Sequence, residues 1–118
     1  MTFKRGDVVM TRFPHAQGTR GKKRPCVIVQ SDLYNPTIGH VIVAEVTSNL
    51  AAAGDPTSLS IDISTPEGKA TGLDFDSVVG CLFLATVSTN RISKQLGRLS
   101  TSLLHRLDTC LKTALELP

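Results

Sequence analysis

An arginine and two hydroxyl residues stand at strand boundaries in the first half of the chain, where they could bind a phosphate. Arg24 precedes the apolar run 25–29, while Thr47 and Ser48 follow the apolar run 41–46. A guanidinium makes paired hydrogen bonds to phosphate oxygens and stabilises negative charge that develops there. These residues predict an anion site, and the structural alternatives are an ion pair at a strand end and a simple turn.

A basic loop leads into Arg24. Residues 4–24 hold seven lysines and arginines but only one carboxylate, that of Asp7. A surface of this kind attracts polyanions, although a solvated loop is the alternative. The loop lacks the GxxxxGK[ST] pattern of a phosphate-binding P-loop, which excludes that class of NTPase. The side chains here that could support a bound substrate are His15, Arg20, Lys22 and Lys23.

Length and composition limit the number of domains and the kinds of site that can be expected. With 118 residues, residues 1–118 are expected to form a single domain. No apolar run has the length of a membrane span and the chain starts without an apolar leader, so the expected location is the cytoplasm and no membrane is involved. The three cysteines are widely spaced and predict buried thiols; no metal site, disulfide or cofactor is expected.

The hydrophobic pattern predicts a mainly β fold with one helix at the end. Strands are expected at 8–13, 25–31, 40–46, 58–63 and 77–87, loops at 49–56 and 65–72, and a strand or turn at 91–99. Gly80 lies inside an apolar run and predicts a bulge or bend. Leucines at three- and four-residue spacing after Leu99 predict an amphipathic helix capped by Ser100 or Thr101. The expected architecture is a strongly bent sheet or small barrel closed by this helix.

Taken in order, short motifs along almost the whole chain resemble the MazF/PemK family of toxins from bacterial toxin–antitoxin pairs. Each motif is weak alone, but their joint order and spacing are specific. The matching pieces are Arg5-Gly6-Asp7-Val8-Val9, Arg24-Pro25-Cys26-Val27-Ile28-Val29, Val46-Thr47-Ser48, Gly72-Leu73, Asp76-Ser77-Val78-Val79, Thr86 with Arg91-Ile92, and Leu96-Gly97-Arg98-Leu99.

The resemblance implies a fold, an activity and partners. It implies an SH3-like small β-barrel that forms a homodimer, and a metal-independent endoribonuclease that cleaves single-stranded RNA, commonly mRNA. It also implies an antitoxin partner with an acidic, disordered tail. The family's catalytic arginine falls on Arg24 and its catalytic threonine on Thr47, with Ser48 beside it.

One segment departs from the family pattern. Many members carry polar residues after the Ser-Val-Val motif, and some use an arginine and an aspartate there, where this chain has Gly80 and Leu82. The apolar stretch 80–84 therefore excludes any mechanism that needs those two groups. It keeps open the alternative of a toxin of the same fold that inhibits a protein such as DNA gyrase without cutting RNA. A non-catalytic SH3-like binding module is a further alternative.

Overall fold

The computed structural model describes residues 2–14 and 21–118. The strands in these residues are β1 Asp7–Arg12, β2 Lys23–Ile28, β3 His40–Thr47, β4 Ser58–Ile61, β5 Ser77–Ser88 and β6 Lys94–Arg98. The helices are α1 Pro66–Ala70 and α2 Thr101–Leu115, with 3₁₀ helices at Leu50–Ala52 and Thr89–Arg91. The five firmly predicted strands are all present, with ends that differ by up to three residues from the predicted ones. No helix in this part of the chain is long and apolar enough to cross a membrane.

The strands form one curled sheet in the order β4-β5-β3-β2-β1-β6. Every neighbouring pair is antiparallel. The sheet curls into a half-barrel and α2 follows it, so the prediction of a bent, mainly β fold with a C-terminal helix is confirmed. The order places β2 and β3 side by side in the middle of the sheet, where the candidate residues lie.

The sheet is covered on both faces by separate hydrophobic clusters. On one face, α2 packs through Leu103, Leu107 and Cys110 against strand residues that include Val27 and Val46. The other face carries a second cluster, formed by Phe3, Val9, Phe13, Cys26, Ile28, Val41, Val43, Val87 and Ile92. Because β2 contributes to both clusters, the strand that carries Arg24 is held from two sides.

Helix α2 begins where the sequence predicts it. Ser100 is the N-cap, and its hydroxyl accepts a hydrogen bond from the Leu103 backbone N–H at 3.1 Å. The same hydroxyl donates to the Glu67 carboxylate at 2.9 Å, which ties α2 to α1. The helix ends at Glu116, whose φ of 57° is the left-handed conformation that commonly closes a helix.

The segment 65–72 was expected to be a loop, and this expectation is wrong. Thr65 caps a short helix by accepting a hydrogen bond from the Gly68 N–H at 3.0 Å, and Pro66 occupies the first turn. A side chain at Gly68 would place its Cβ 1.8 Å from the Asp62 carbonyl oxygen. Glycine is therefore required there by close backbone packing between α1 and the segment that precedes it.

The Arg5-Gly6-Asp7 motif anchors the start of β1. The Arg5 guanidinium donates to the Val29 carbonyl at 2.9 Å and to the Asp108 carboxylate at 2.6 Å, which links the sheet to α2. Gly6 has a φ of 91°, a conformation that favours glycine. Asp7 is buried and accepts a hydrogen bond from the Lys4 backbone N–H. The motif therefore has a structural role at the sheet–helix junction.

Gly80 opens a bulge in β5, as the sequence predicts. Opposite β3, the register passes from Ala44–Leu84 directly to Glu45–Gly80. The three intervening residues of β5 therefore have no partner on β3. Residues Leu82 and Phe83 in this bulge are largely exposed.

Candidate functional site

The register of β2 against β3 brings Arg24 and Thr47 together. The antiparallel register runs from Ile28–Val43 to Cys26–Glu45, and Arg24 and Thr47 each lie two residues beyond its last pair. Both residues therefore lie at the same end of the two strands, and both line one pocket there. Two residues that are distant in sequence are thus brought to one site.

Arg24 is held by a carboxylate that the sequence did not single out. Its Nε atom lies 3.4 Å from Oε2 of Glu45, whose side chain is only 17% exposed. The Nε atom is itself buried and makes no hydrogen bond to a described residue, so the N–H is poorly aligned with the carboxylate. This ion pair is the structural alternative raised for Arg24 from its sequence context.

A signal for Glu45 was present in the sequence. Glu45 stands two residues before Thr47 in a strand, so alternation puts both side chains on one face. A carboxylate inside an otherwise apolar strand needs a partner, and the neighbouring strand supplies only one cation at the matching position, Arg24.

The thiol of Cys26 lies beside this ion pair and is expected to be unreactive at neutral pH. Cys26 is fully buried and pairs with Glu45 across the two strands. Burial, together with the nearby Glu45 carboxylate, raises the pKa of Cys26 to about 12, against a smaller opposing effect of Arg24. The thiolate is therefore scarce at neutral pH. All three cysteines are free and buried, which confirms that prediction.

The hydroxyls of Thr47 and Ser48 end β3. Thr47 is half-buried and its Oγ1 accepts a hydrogen bond from the Asn49 backbone N–H at 3.1 Å. That bond uses the oxygen as an acceptor and leaves the hydroxyl hydrogen available to donate to an anion. Ser48 is exposed at the bend that follows.

A pocket of ≈ 340 Å³ opens where these strand ends meet the segment before β5. Four sequence-predicted site residues line it: Lys23, Arg24, Thr47 and Ser48. The sequence did not predict the rest of the wall, which consists of Met10, Pro25, Val46, Gly72, Leu73, Asp74, Phe75, Ser77, Lys94 and Leu96. Another cavity of ≈ 350 Å³, between α1, β4 and α2, holds none of the described candidates.

The pocket wall depends on Gly72. Its φ of 73° is the left-handed conformation, and a Cβ there would stand 2.0 Å from the Leu96 carbonyl oxygen. The close approach to β6 sets the path of residues 73–75, which line the pocket. The Gly72-Leu73 motif was the available signal for this wall.

The remaining candidates do not join the pocket. Lys22 is exposed and does not line it. His15 and Arg20 lie outside the described residues. His40, at the start of β3, pairs with Ser88 at the other end of that strand. No cluster of three or more His, Cys, Asp or Glu side chains that could hold a metal ion occurs within 2–14 and 21–118.

Comparison with known proteins assigns the family. Residues 4–115 match the family described as the PemK-like, MazF-like toxin of type II toxin–antitoxin systems. The chain belongs to the PemK/MazF toxin family.

Two relatives that are named endoribonucleases match over nearly the full length. The endoribonuclease MazF6 of Mycobacterium tuberculosis is 30% identical over 119 residues, which covers 99% of this chain and 100% of the relative. The endoribonuclease MazF of Staphylococcus epidermidis is 35% identical, covering 98% of this chain and 92% of the relative.

The PemK/MazF fold is confirmed by solved structures. An endoribonuclease in complex with its cognate antitoxin, from a mycobacterial species, superposes with a TM-score of 0.77 at 21% identity. The match covers 98% of this chain and 97% of that one. At this identity the likeness concerns the fold.

Proposed function

We propose that this PemK/MazF protein is a metal-independent endoribonuclease that cuts single-stranded RNA; two relatives that match almost its whole length are named endoribonucleases. The observation that carries the proposal is that Arg24 and Thr47, at the same end of β2 and β3, line one pocket together with Lys23 and Lys94. These groups suit a phosphodiester substrate, since three are cations and one is a hydroxyl donor.

The reaction that fits these groups is intramolecular attack of a ribose 2′-hydroxyl on the adjacent phosphate. The 2′-oxygen forms a bond to the adjacent phosphorus, the bond from phosphorus to the 5′-oxygen breaks, and a 2′,3′-cyclic phosphate remains. A proton leaves the 2′-hydroxyl and a proton is taken up by the departing 5′-oxygen. The atoms balance without a metal ion or a second substrate.

Arg24 and Thr47 have distinct roles in this scheme. The phosphorane carries more negative charge than the ground state, and the Arg24 guanidinium stabilises that charge. The Thr47 hydroxyl donates to a phosphate oxygen and fixes its position, with Ser48 as a second hydroxyl at the rim. Arginine stays protonated near neutral pH and is a poor base. His15 is our candidate for the group that takes the 2′-proton, because histidine changes charge near neutral pH.

The biological setting follows from the family. We place the chain as the toxin of a type II toxin–antitoxin pair, acting in the cytoplasm as a homodimer of single-domain chains 1–118. Its partner would be an antitoxin with an acidic, disordered tail, which suits a chain of net charge +3. A structural relative solved with its cognate antitoxin supports this assignment.

The direct test is cleavage of labelled single-stranded RNA by the purified protein in EDTA. The expected products carry a 2′,3′-cyclic phosphate and a 5′-hydroxyl, and Arg24→Ala lowers kcat by about a hundredfold or more. Arg106→Ala, which removes an equal charge from α2, is the matched control and should cut normally. Full activity of Arg24→Ala would overturn the site, and intact cellular RNA during growth arrest would favour a protein target instead.

A further inference from the structure

Phe83 lies on the outward bulge of β5, close to the position of the Arg24–Glu45 pair. The residues between Gly80 and Leu84 have no partner on β3. The ring of Phe83 is 59% exposed. Phenylalanine and tyrosine together number only five in this chain, so few rings are available to contact a ligand near the candidate site.

The register shows which face of the sheet the ring covers. Gly80 pairs directly with Glu45, and opposing residues project their side chains from the same face. A Cβ built on Gly80 would stand 3.0 Å from Cδ2 of Phe83. The ring therefore lies over Gly80, on the face from which the Glu45 side chain reaches Arg24 at 3.4 Å.

The spacing suits neighbouring nucleotides of one RNA strand. β5, β3 and β2 are adjacent in the sheet, so the strand under the ring and the strand that carries Arg24 are two strand spacings, or about 10 Å, apart. A phosphate bound at Arg24 leaves the base of a flanking nucleotide within reach of the ring. Lys23 and Lys94, which line the adjoining pocket, supply positive charge for the RNA backbone.

We propose that Phe83 is a stacking platform for one unpaired base of the RNA that binds at Arg24 and Thr47. The inference rests on the proposed nuclease function and adds a base-binding subsite to it. Proteins that bind single-stranded RNA commonly stack unpaired bases on exposed aromatic rings. Gly80 permits this arrangement, because a Cβ there would stand 3.0 Å from Cδ2 of the ring and crowd it.

A variant of the neighbouring Leu82 can distinguish base stacking from general apolar contact. Leu82 is 63% exposed, close to the value for Phe83, but it has no aromatic face. A protein surface that covered the bulge would bury both side chains, whereas a stacked base needs only the ring. Phe83→Ala and Leu82→Ala are therefore a matched pair of variants.

The first experiment measures binding separately from cutting. The probe is a fluorescein-labelled pool of short random-sequence RNA with 2′-O-methyl riboses, which cannot be cleaved because the attacking oxygen is blocked. Phe83→Ala should weaken binding about 5- to 150-fold, the range for loss of one stacked base, whereas Leu82→Ala should bind normally. With cleavable RNA, Phe83→Ala should raise KM by a similar factor with a smaller effect on kcat.

The second experiment detects stacking itself. The chain has no tryptophan, so Phe83→Trp introduces a single fluorescent indole on the bulge. This variant should bind the pool at least as tightly as the wild type, and RNA should quench its emission. Phe83→Leu, which keeps apolar area but loses the aromatic face, should remain as weak as Phe83→Ala.

Each outcome separates the subsite from the nuclease activity. If the wild type cuts RNA and Phe83→Ala matches its affinity and KM while retaining its melting temperature, the subsite is wrong and the nuclease stands. If RNA quenches Phe83→Trp and Phe83→Ala loses binding, but the wild type cuts no RNA, the subsite is supported and the nuclease function is wrong. Equal damage from Leu82→Ala, or a smaller oligomer for Phe83→Ala in light scattering, would identify the bulge as a protein interface and overturn the proposal.

Discussion

At the scale of single residues, the candidate site contains an arginine that forms an ion pair with a carboxylate outside the pocket. Glu45 lies 3.4 Å from the Arg24 Nε atom, and it does not line the pocket that Arg24 borders. The carboxylate restrains the guanidinium and also offsets part of its charge. The restraint should favour catalysis, whereas the offset of charge should weaken anion binding. The two effects can be measured separately, as kcat and KM.

Glu45→Gln tests this positioning role. Removing the charge should loosen the guanidinium and lower kcat about tenfold or more, since small misplacements of a catalytic group are costly. KM should not rise, because Arg24 then attracts the phosphate without a competing carboxylate. Steady-state cleavage of labelled RNA gives both constants.

The control for this variant is Glu116→Gln, which removes the same charge at the end of α2. It should leave both constants unchanged. A wild-type kcat in Glu45→Gln would show that the ion pair has no part in positioning Arg24.

At the scale of elements, the site depends on strand register and on short helices that hold loops in place. The β2–β3 pairing brings Arg24 and Thr47 to the same end of the sheet, and the three-residue bulge of β5 exposes Phe83. Helix α1 leads into Gly72 and the pocket wall, and its Glu67 is bonded to the Ser100 cap of α2. The Ser100 hydroxyl thus forms hydrogen bonds to both α1 and α2.

Ser100→Ala tests that junction. It removes the helix cap and the bond to Glu67, so the free energy of unfolding should fall by about 1–2 kcal/mol. Urea denaturation followed by circular dichroism measures the change.

Ser102→Ala is the matched control for the cap. Ser102 is exposed in the first turn of the same helix and is not the capping residue. Its replacement should leave stability unchanged or slightly raised, because alanine favours helix. Equal effects of the two variants would show that the cap contributes little.

At the scale of the whole molecule, two hydrophobic clusters on opposite faces hold the curled sheet. Helix α2 supplies the cover for one face, and Leu107 is its fully buried contact. The Arg5–Asp108 ion pair adds a polar link between the sheet and the same helix. Loss of this packing would release the face of the sheet that includes Val46, next to Thr47.

Leu107→Ala should lower the free energy of unfolding by about 2–5 kcal/mol, through lost burial and the cavity that remains. That is a large share of the total stability of a small domain, which is about 5–15 kcal/mol. Leu115→Ala, at a position 52% exposed on the same helix, should change it little. Similar urea midpoints for the two variants would contradict the assignment of α2 as the cover of the sheet.

Much of the fold was readable from local pattern. The β-branched runs specified the strands, and leucines at three- and four-residue spacing specified α2 with its Ser100 cap, because side-chain periodicity and capping act over a few residues. Helix α1 was missed because five residues are too few to show a helical pattern, and the close packing of Gly68 against Asp62 appears only in the fold. In the site, Arg24 and Thr47 were identified from the residues and the family motifs, and their catalytic roles remain predictions.

By itself, the sequence determined the class of fold, the family and the chemical types at the site. Only the tertiary structure decided which groups meet. It selected Glu45 as the partner of Arg24, added Lys94 to the pocket wall, and set the ring of Phe83 over Gly80. The physical reason is that these contacts arise from strand order, register and one bulge, which are collective properties of the folded sheet. Local propensity in any single segment does not contain them.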